Sequence, residues 1–274
     1  MRTYPVEAVG NRFLLVDRRE TGDEDWSRVA LEVCWGDDAE RALCDGLLVI
    51  DVGDPIRLRM FNPDGTEDFC GNGLLCAASY AWETCGLRRP SFEVLHLGRT
   101  VPVNLTIREE AVVSASMLLP APQFKAKEIP MEWPHHGDAP FEARLDGFPH
   151  ALRPVSTGTP HAVILVDRLP GDGEFRELSR RLENHPAFPE RTTVDWVERA
   201  EAGRVRIRIW ERGVGETLGC GTGAAAVAAV THGLLHDGSL AVESKGGVLL
   251  VEWSGTGPIR VEGSAKVPST ASRE

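Results

Sequence analysis

The chain has 274 residues, too many for one ordinary core of ~100 to 150 residues and too few for three, so it reads as two domains. Hydrophobic residues at 42% and charged residues at 26%, with seven Trp and nine Phe, exclude a largely disordered protein. The excess of 41 acidic over 30 basic residues gives a formal charge of -11, and no Lys/Arg run could neutralise a series of phosphates, which argues against a nucleic-acid partner.

In chain order, the start from Met1 to Glu20 carries no apolar signal region, so a cytoplasmic protein is expected. Short alternating or β-branched runs predict strands over Phe13 to Asp17, Leu47 to Val52 and Ile56 to Phe61. An apolar helix is predicted over Leu74 to Trp82 and a strand over Val101 to Ile107. Between Leu119 and Phe141 the prolines at 120, 122, 130, 134 and 140 predict a linker, because neither a helix interior nor a central strand tolerates that density. Beyond it come predicted strands at Ala162 to Val166 and Val205 to Trp210, a helix over Ala224 to Val230, and strands at Leu240 to Glu243 and Val248 to Trp253. The residues from about Pro268 read as a frayed tail. Apolar stretches such as Ala224 to Val230 fall far short of the ~20 residues that span a bilayer, so no membrane association is expected. Strands in groups rather than in strict βαβ alternation predict mixed sheets.

The chain repeats itself. Cys70-Gly71-Asn72-Gly73 opens an apolar run that stops at Thr84-Cys85-Gly86-Leu87, and Cys220-Gly221-Thr222-Gly223 opens another that stops at Thr231-His232-Gly233-Leu234. Asp64-Gly65-Thr66-Glu67 precedes the first copy and Gly213-Val214-Gly215-Glu216-Thr217 the second. Each run has few polar residues on any face, so each helix is expected to be buried within its domain. Asn72 and Thr222 are the expected N-caps, and Gly86 and Gly233 the left-handed residues past the helix ends.

The remaining cysteines, at 34, 44, 76 and 85, read as small buried hydrophobes; no CxxC pair occurs, and neither a disulfide framework nor a zinc site is expected. His232 and His236 have helical spacing, but Gly233 is expected to end the helix between them, so no metal is assigned. Cys70 and Cys220 are different because they recur in matched settings at helix starts. Free N-H groups and the dipole there favour an anion and can lower a thiol pKa from ~8.5 into the range ~3.5 to 7.5. The same N-H groups, made accessible by flanking glycines, suit a bound carboxylate. Two such ends sharing one ligand would hold an amino-acid carboxylate between two sulfurs, as a racemase without a cofactor requires: a thiolate removes the Cα proton while a thiol on the opposite face supplies another. Pyridoxal phosphate would need a lysine, and Lys125, Lys127, Lys245 and Lys266 are the only ones; Lys245, in Ser-Lys-Gly-Gly, reads as a turn between strands. No cofactor is expected. In the contrary reading both cysteines are core residues and the glycines punctuation.

Further motifs are Gly10-Asn11-Arg12-Phe13, Asn62-Pro63-Asp64-Gly65-Thr66-Glu67, Gly158-Thr159-Pro160-His161 and Glu211-Arg212-Gly213-Val214-Gly215-Glu216-Thr217. With the two CGxG sites, these make nearly the whole chain resemble the diaminopimelate epimerase family. The resemblance implies an α+β, or mixed α/β, fold of two pseudo-symmetric domains, each a curved, mostly antiparallel sheet or barrel around a central buried helix. The halves would be residues 1–119, completed by about 260–274, and residues 120–259. It also implies Cys70 and Cys220 as acid and base, with Glu211 and His161 assisting at the amino group or tuning the thiols. Gly71, Asn72, Gly221 and Thr222 would hold the reacting carboxylate, and Asn11, Asn62 and Arg212 other polar groups of the substrate. Thr159 and Thr193 stand where the family usually has Asn, with shorter reach and without an amide's two N-H donors. Ala42-Leu43-Cys44 replaces an expected Gly-rich stretch.

The implied activity is epimerisation of an amino acid, with diaminopimelate as the leading substrate; a small amino acid is the expected partner, and a homodimer is the expected assembly only because it is the commonest among soluble proteins. A racemase for another amino acid and a non-catalytic amino-acid-binding protein are the alternatives. Proline racemases usually carry His at the position of Asn72, and the phenazine-pathway isomerases of this fold lack the cysteine pair. Two helix-end thiols close to each other would also invite oxidation to an inactive disulfide.

Overall fold

In the computed structural model, which describes residues 1–35 and 44–267, alternation of buried and exposed side chains sets most strands. By internal contacts the chain divides into two units, Met1–Leu118 with Glu262–Glu274, and Leu119–Val261.

Unit 1 contains β1 (Tyr4–Ala8), β2 (Asn11–Asp17), α1 (Trp26–Trp35), β3 (Gly46–Asp51), β4 (Ile56–Phe61), α2 (Gly71–Glu83), β5 (Ser91–His96), β6 (Arg99–Arg108) and β7 (Ala111–Leu119). β1 and β2 are antiparallel, β2 and β3 parallel across α1, and β3 and β4 antiparallel. β4 and β5 are parallel across α2, and β5, β6 and β7 continue antiparallel. Every residue of α2 from Asn72 to Trp82 is buried, and the helix touches β1, β4, β5 and β6. Strands from both ends of one sheet can reach one helix only if the sheet curves around it. α1 lies in a separate apolar layer, where Trp26, Ala30 and Cys34 pack with Leu47, Val49 and Phe61.

Unit 2 repeats this order. It contains β8 (Ala143–Arg144), β9 (Ala151–Ser156), β10 (Pro160–Val166), α3 (Asp172–Glu183), β11 (Thr193–Glu201), β12 (Arg204–Glu211), β13 (Gly215–Thr217), α4 (Gly221–Thr231), β14 (Ser239–Ser244) and β15 (Gly247–Glu252). β9 and β10 are antiparallel, β10 and β11 parallel across α3, β11 and β12 antiparallel, β12 and β14 parallel across α4, and β14 and β15 antiparallel. The duplication seen around the cysteines therefore extends to the whole strand order. All of α4 is buried, against β9, β10, β11 and β15. Its run of Ala and Val suits the place, because Ala favours helix and lets the strands approach closely. On the other side of the sheet Phe175, Leu178 and Leu182 of α3 pack with the fully buried Trp196 of β11. After β16 (Ile259–Gly263) the short strand Ala265–Lys266 pairs with β1, which joins the last described residues to unit 1.

The proline-rich stretch predicted as a linker is not one. Ala126, Ile129 and Met131 are buried in the core of unit 2, and Gln123 and Ser156 exchange backbone hydrogen bonds at 2.9 Å. Prolines there leave room for no more than a 3-10 turn at Ala126–Glu128, but they do not prevent apolar anchoring. Gly86 and Gly233 have φ of 70° and 73°, the left-handed turn expected past both buried helices. Ala42 and Leu43 of the unusual segment, and the tail from Pro268, lie outside the described residues. No helix among the described residues is long and apolar enough to cross a membrane.

Candidate active site

Both cysteines occupy the N-cap itself. Cys70 has φ -132° and ψ 104°, and Cys220 has φ -139° and ψ 118°, the extended geometry of a cap residue. The N-H of Gly73 donates to Cys70 Sγ at 3.2 Å, and that of Gly223 to Cys220 Sγ at 3.4 Å. The expectation that Asn72 and Thr222 are the caps is thereby corrected: each lies inside its helix, two residues past the cap. Cap preferences favour Asn and Thr over a weakly accepting sulfur, but here the sulfur already occupies the capping place.

In unit 1, Asn72 Nδ2 donates to Asn11 Oδ1 at 2.7 Å, and both residues are buried. Gly71 starts α2 beside them. The N-H of Cys70 donates to His96 Nε2 at 3.0 Å, while His96 Nδ1 lies 3.0 Å from the carbonyl of Leu58. The carbonyl accepts, so Nδ1 bears the proton and His96 is neutral. Burial, the largest cause, lowers its pKa from the ordinary 6.5, in keeping with that state. Asn62 is half-buried, and its amide donates to Thr66 Oγ1 at 3.0 Å within its own turn.

In unit 2, neighbouring strands assemble a denser group. His161 and Thr193 are register partners in β10 and β11. His161 is fully buried; Nδ1 lies 2.8 Å from Asp195 Oδ2 and Nε2 lies 3.1 Å from Thr159 Oγ1. Thr193 Oγ1 accepts from the N-H of Arg212 at 3.2 Å, and the Arg212 guanidinium donates to the carbonyl of Glu190 at 3.1 Å. Thr217 Oγ1 donates to Glu211 Oε1 at 2.5 Å, and burial raises the Glu211 pKa above the usual carboxylate value. Cys220 Sγ lies 3.2 Å from Thr222 Oγ1, and Gly221 begins the buried helix that follows.

The low thiol pKa expected of both helix ends does not hold at Cys220. Burial pushes it well above the ordinary value, and the Glu211 and Asp195 carboxylates push it further; the Thr222 hydroxyl and the Gly223 N-H oppose them and do not prevail. Desolvation and two nearby negative charges thus outweigh a helix terminus and favour the protonated thiol at Cys220.

His96 and Asp195 were not singled out from the sequence. The available signal was strand phase: Phe92, Val94 and His96 form the buried face of β5, and Asp195 is an acid within the otherwise apolar Val194 to Val197 run. Cys34 and Cys44, expected to be small buried hydrophobes, have sulfurs 3.3 Å apart, and the hydrogen bond between them lowers the pKa of Cys44 and, with burial, raises that of Cys34. No disulfide joins the described cysteines, and among the described residues no group of three or more Cys, His, Asp or Glu could hold a metal ion.

Comparison with known proteins identifies the family and the fold. The family model described as diaminopimelate epimerase matches residues 154–267. Over 273 residues the chain is 34% identical to the diaminopimelate epimerases of Bacillus mycoides (strain KBAB4) and Bacillus cereus (strain B4264), covering 96% of this chain and 93% of each relative. The fold is shared with a hydroxyproline epimerase from Agrobacterium vitis with bound trans-4-hydroxy-L-proline, at TM-score 0.69 and 14% identity, covering 97% of this chain and 89% of that one. It is shared too with a phenazine biosynthesis protein of the PhzF family from Bacillus anthracis, at TM-score 0.66 and 19% identity over 97% of both chains. Fold and relatives together define an isomerase of the epimerase and racemase class. Within that class, the chain belongs to the diaminopimelate epimerase family.

Proposed function

We propose that the protein epimerises diaminopimelate, converting the LL form to the meso form without a cofactor, for lysine and peptidoglycan biosynthesis in the cytoplasm, as a homodimer. The observation that supports this reading most is duplication: Cys70 and Cys220 each cap a buried helix, with Sγ on the N-H of the third helical residue and glycines at the first and third positions of the helix that follows. One sulfur takes the Cα proton and the other returns a proton to the opposite face. Cys220 enters as the thiol, because burial, Glu211 and Asp195 favour its protonated form.

The backbone N-H groups of Gly71, Asn72, Gly221 and Thr222 hold the carboxylate and stabilise the carbanion that forms next to it. His161 and Glu211 handle protons at the amino group and the thiols, and Asn11, Asn62, Arg212, Thr159 and Thr193 receive the remaining polar groups. A racemase acting on a different amino acid is the second reading. It is favoured by the engagement of Thr159 with His161 and of Thr193 with Arg212, which leaves shorter donors where the family usually presents an amide.

The test is incubation of the purified protein with LL-diaminopimelate and, separately, with other L-amino acids, followed by chiral chromatography. Conversion of diaminopimelate to its meso form is expected. Turnover of another amino acid alone would establish the second reading, and turnover of none would overturn the assignment as an enzyme.

A further inference from the structure

His161 has the place of a proton-transfer group in the proposed site, and what holds it there is a residue that neither the motifs nor the family resemblance supplied. β10 and β11 are parallel, with His161 opposite Thr193. Asp195 is two residues on from Thr193, so it projects from the same face of the sheet as Thr193 and reaches His161 along the diagonal. Both side chains are fully buried, and Asp195 Oδ2 lies 2.8 Å from His161 Nδ1. An ionised carboxylate only accepts, so Nδ1 carries the ring proton, and Nε2, 3.1 Å from Thr159 Oγ1, is left with its lone pair.

The second carboxylate oxygen has a different neighbour. Asp195 Oδ1 is buried and has no hydrogen-bond partner among the described residues. It lies against the first turn of α4, where a Cβ on Gly223 would come within 2.6 Å of it. Gly223 is the residue whose N-H reaches Cys220 Sγ. One carboxylate therefore touches the imidazole on one side and the capping turn of Cys220 on the other.

We propose that Asp195 is a positioning residue for the epimerisation: its carboxylate fixes the His161 ring with the proton on Nδ1, keeps Nε2 able to accept a proton, and stabilises the imidazolium that results. This rests on the reading above that His161 belongs to the active site. The arrangement follows the logic by which a buried aspartate orients the histidine of a hydrolase triad, where replacement by Asn preserves shape and leaves the wrong tautomer. It also explains the glycine at position 223, since any side chain there would displace the carboxylate from the ring.

The experiment compares Asp195→Asn, His161→Asn and the double variant, assayed with LL-diaminopimelate, together with nitrogen-15 NMR of the histidine rings. Asp195→Asn is expected to lower kcat by at least about tenfold with KM little changed, because the amide can present its NH2 to Nδ1 and drive the ring proton to Nε2. In the His161→Asn background the same change should cost less than about twofold, since the two residues act as one unit. The wild-type spectrum should show His161 protonated at Nδ1, and Asp195→Asn should change that pattern. Wild-type protein with the proton on Nε2 would overturn the proposal without any variant being made. So would undiminished kcat in Asp195→Asn, or an equal loss in both backgrounds, or a loss with the ring pattern unchanged. If His161→Asn itself keeps full activity, the assignment of His161 to the site fails along with the proposal; if His161→Asn is impaired and Asp195→Asn is not, only the proposal fails.

Discussion

Cys70 and Cys220 cap equivalent helices in nearly the same backbone conformation, yet they stand in different electrostatic surroundings. Cys70 is half-buried, and its N-H is held by a neutral imidazole, that of His96. Cys220 is buried, touches a hydroxyl, and is influenced by the carboxylates of Glu211 and Asp195. The difference teaches how a duplicated fold can serve a reaction whose two ends are not alike. Backbone geometry sets where each sulfur points, and the neighbouring strands, which have diverged, set its charge. A two-base epimerisation needs one sulfur protonated when the other is not, and the carboxylates in unit 2 favour that division.

Removing either sulfur should have the largest effect. Cys70→Ala and Cys220→Ala are each expected to lower kcat by at least about a hundredfold, the range of a lost general acid or base, in the chiral assay. Retention of activity by one variant would show that the copies are not both catalytic.

Glycine at the third helical position separates the copies next. A Cβ at Gly223 would lie 2.6 Å from Asp195 Oδ1, whereas at Gly73 it would meet Leu48 Cδ2 at 3.0 Å, the end of a flexible side chain. Gly223→Ala should destabilise the protein by about 1 to 3 kcal/mol in urea unfolding, as overpacking does. Gly73→Ala should stay within about 1 kcal/mol, because the alanine's lower unfolded-state entropy offsets the smaller clash. Equal losses would mean that the carboxylate is not what distinguishes the two turns.

A smaller effect concerns thiol chemistry. Glu211 is one of the charges that hold the Cys220 pKa up, so Glu211→Gln should increase the alkylation rate of Cys220 at neutral pH severalfold, read by peptide mass spectrometry. An unchanged rate would leave burial alone as the cause.

The smallest effect is expected at Cys70. The folded-state pKa of His96 is lowered from 6.5, so its contribution to stability is complete above that value and is lost as the pH falls through the folded pKa. Protonation would also place a donor against the Cys70 N-H. Melting temperatures below pH 6.5 should therefore fall more steeply in the wild type than in His96→Gln, and parallel curves would contradict this role.

Much of this molecule was legible in its sequence, for reasons that differ from element to element. The CGxG copies stand out because glycine punctuation and long apolar helices are local signals. α3 is less visible, since Phe175, Leu178 and Leu182 are a narrow apolar stripe on an otherwise charged helix. The cap assignment failed because it relied on side-chain preferences in isolation, while the turn brings each sulfur to the N-H three residues on. His96 and Asp195 were out of reach for another reason: each acts on a residue distant in sequence, through sheet register. Asn62 shows the opposite limit, where the motif is clear and the side chain's contacts are those of a turn.

The central claim is that two sulfurs divide the proton transfer, and isotope incorporation tests it most directly. LL-diaminopimelate is incubated with the enzyme in deuterated water, and substrate and product are separated at low conversion. Two monoprotic thiol groups predict deuterium at the α carbon of the meso product and almost none in the recovered LL substrate. Deuterium entering both at comparable rates would point to a single base acting on both faces, and would contradict the account.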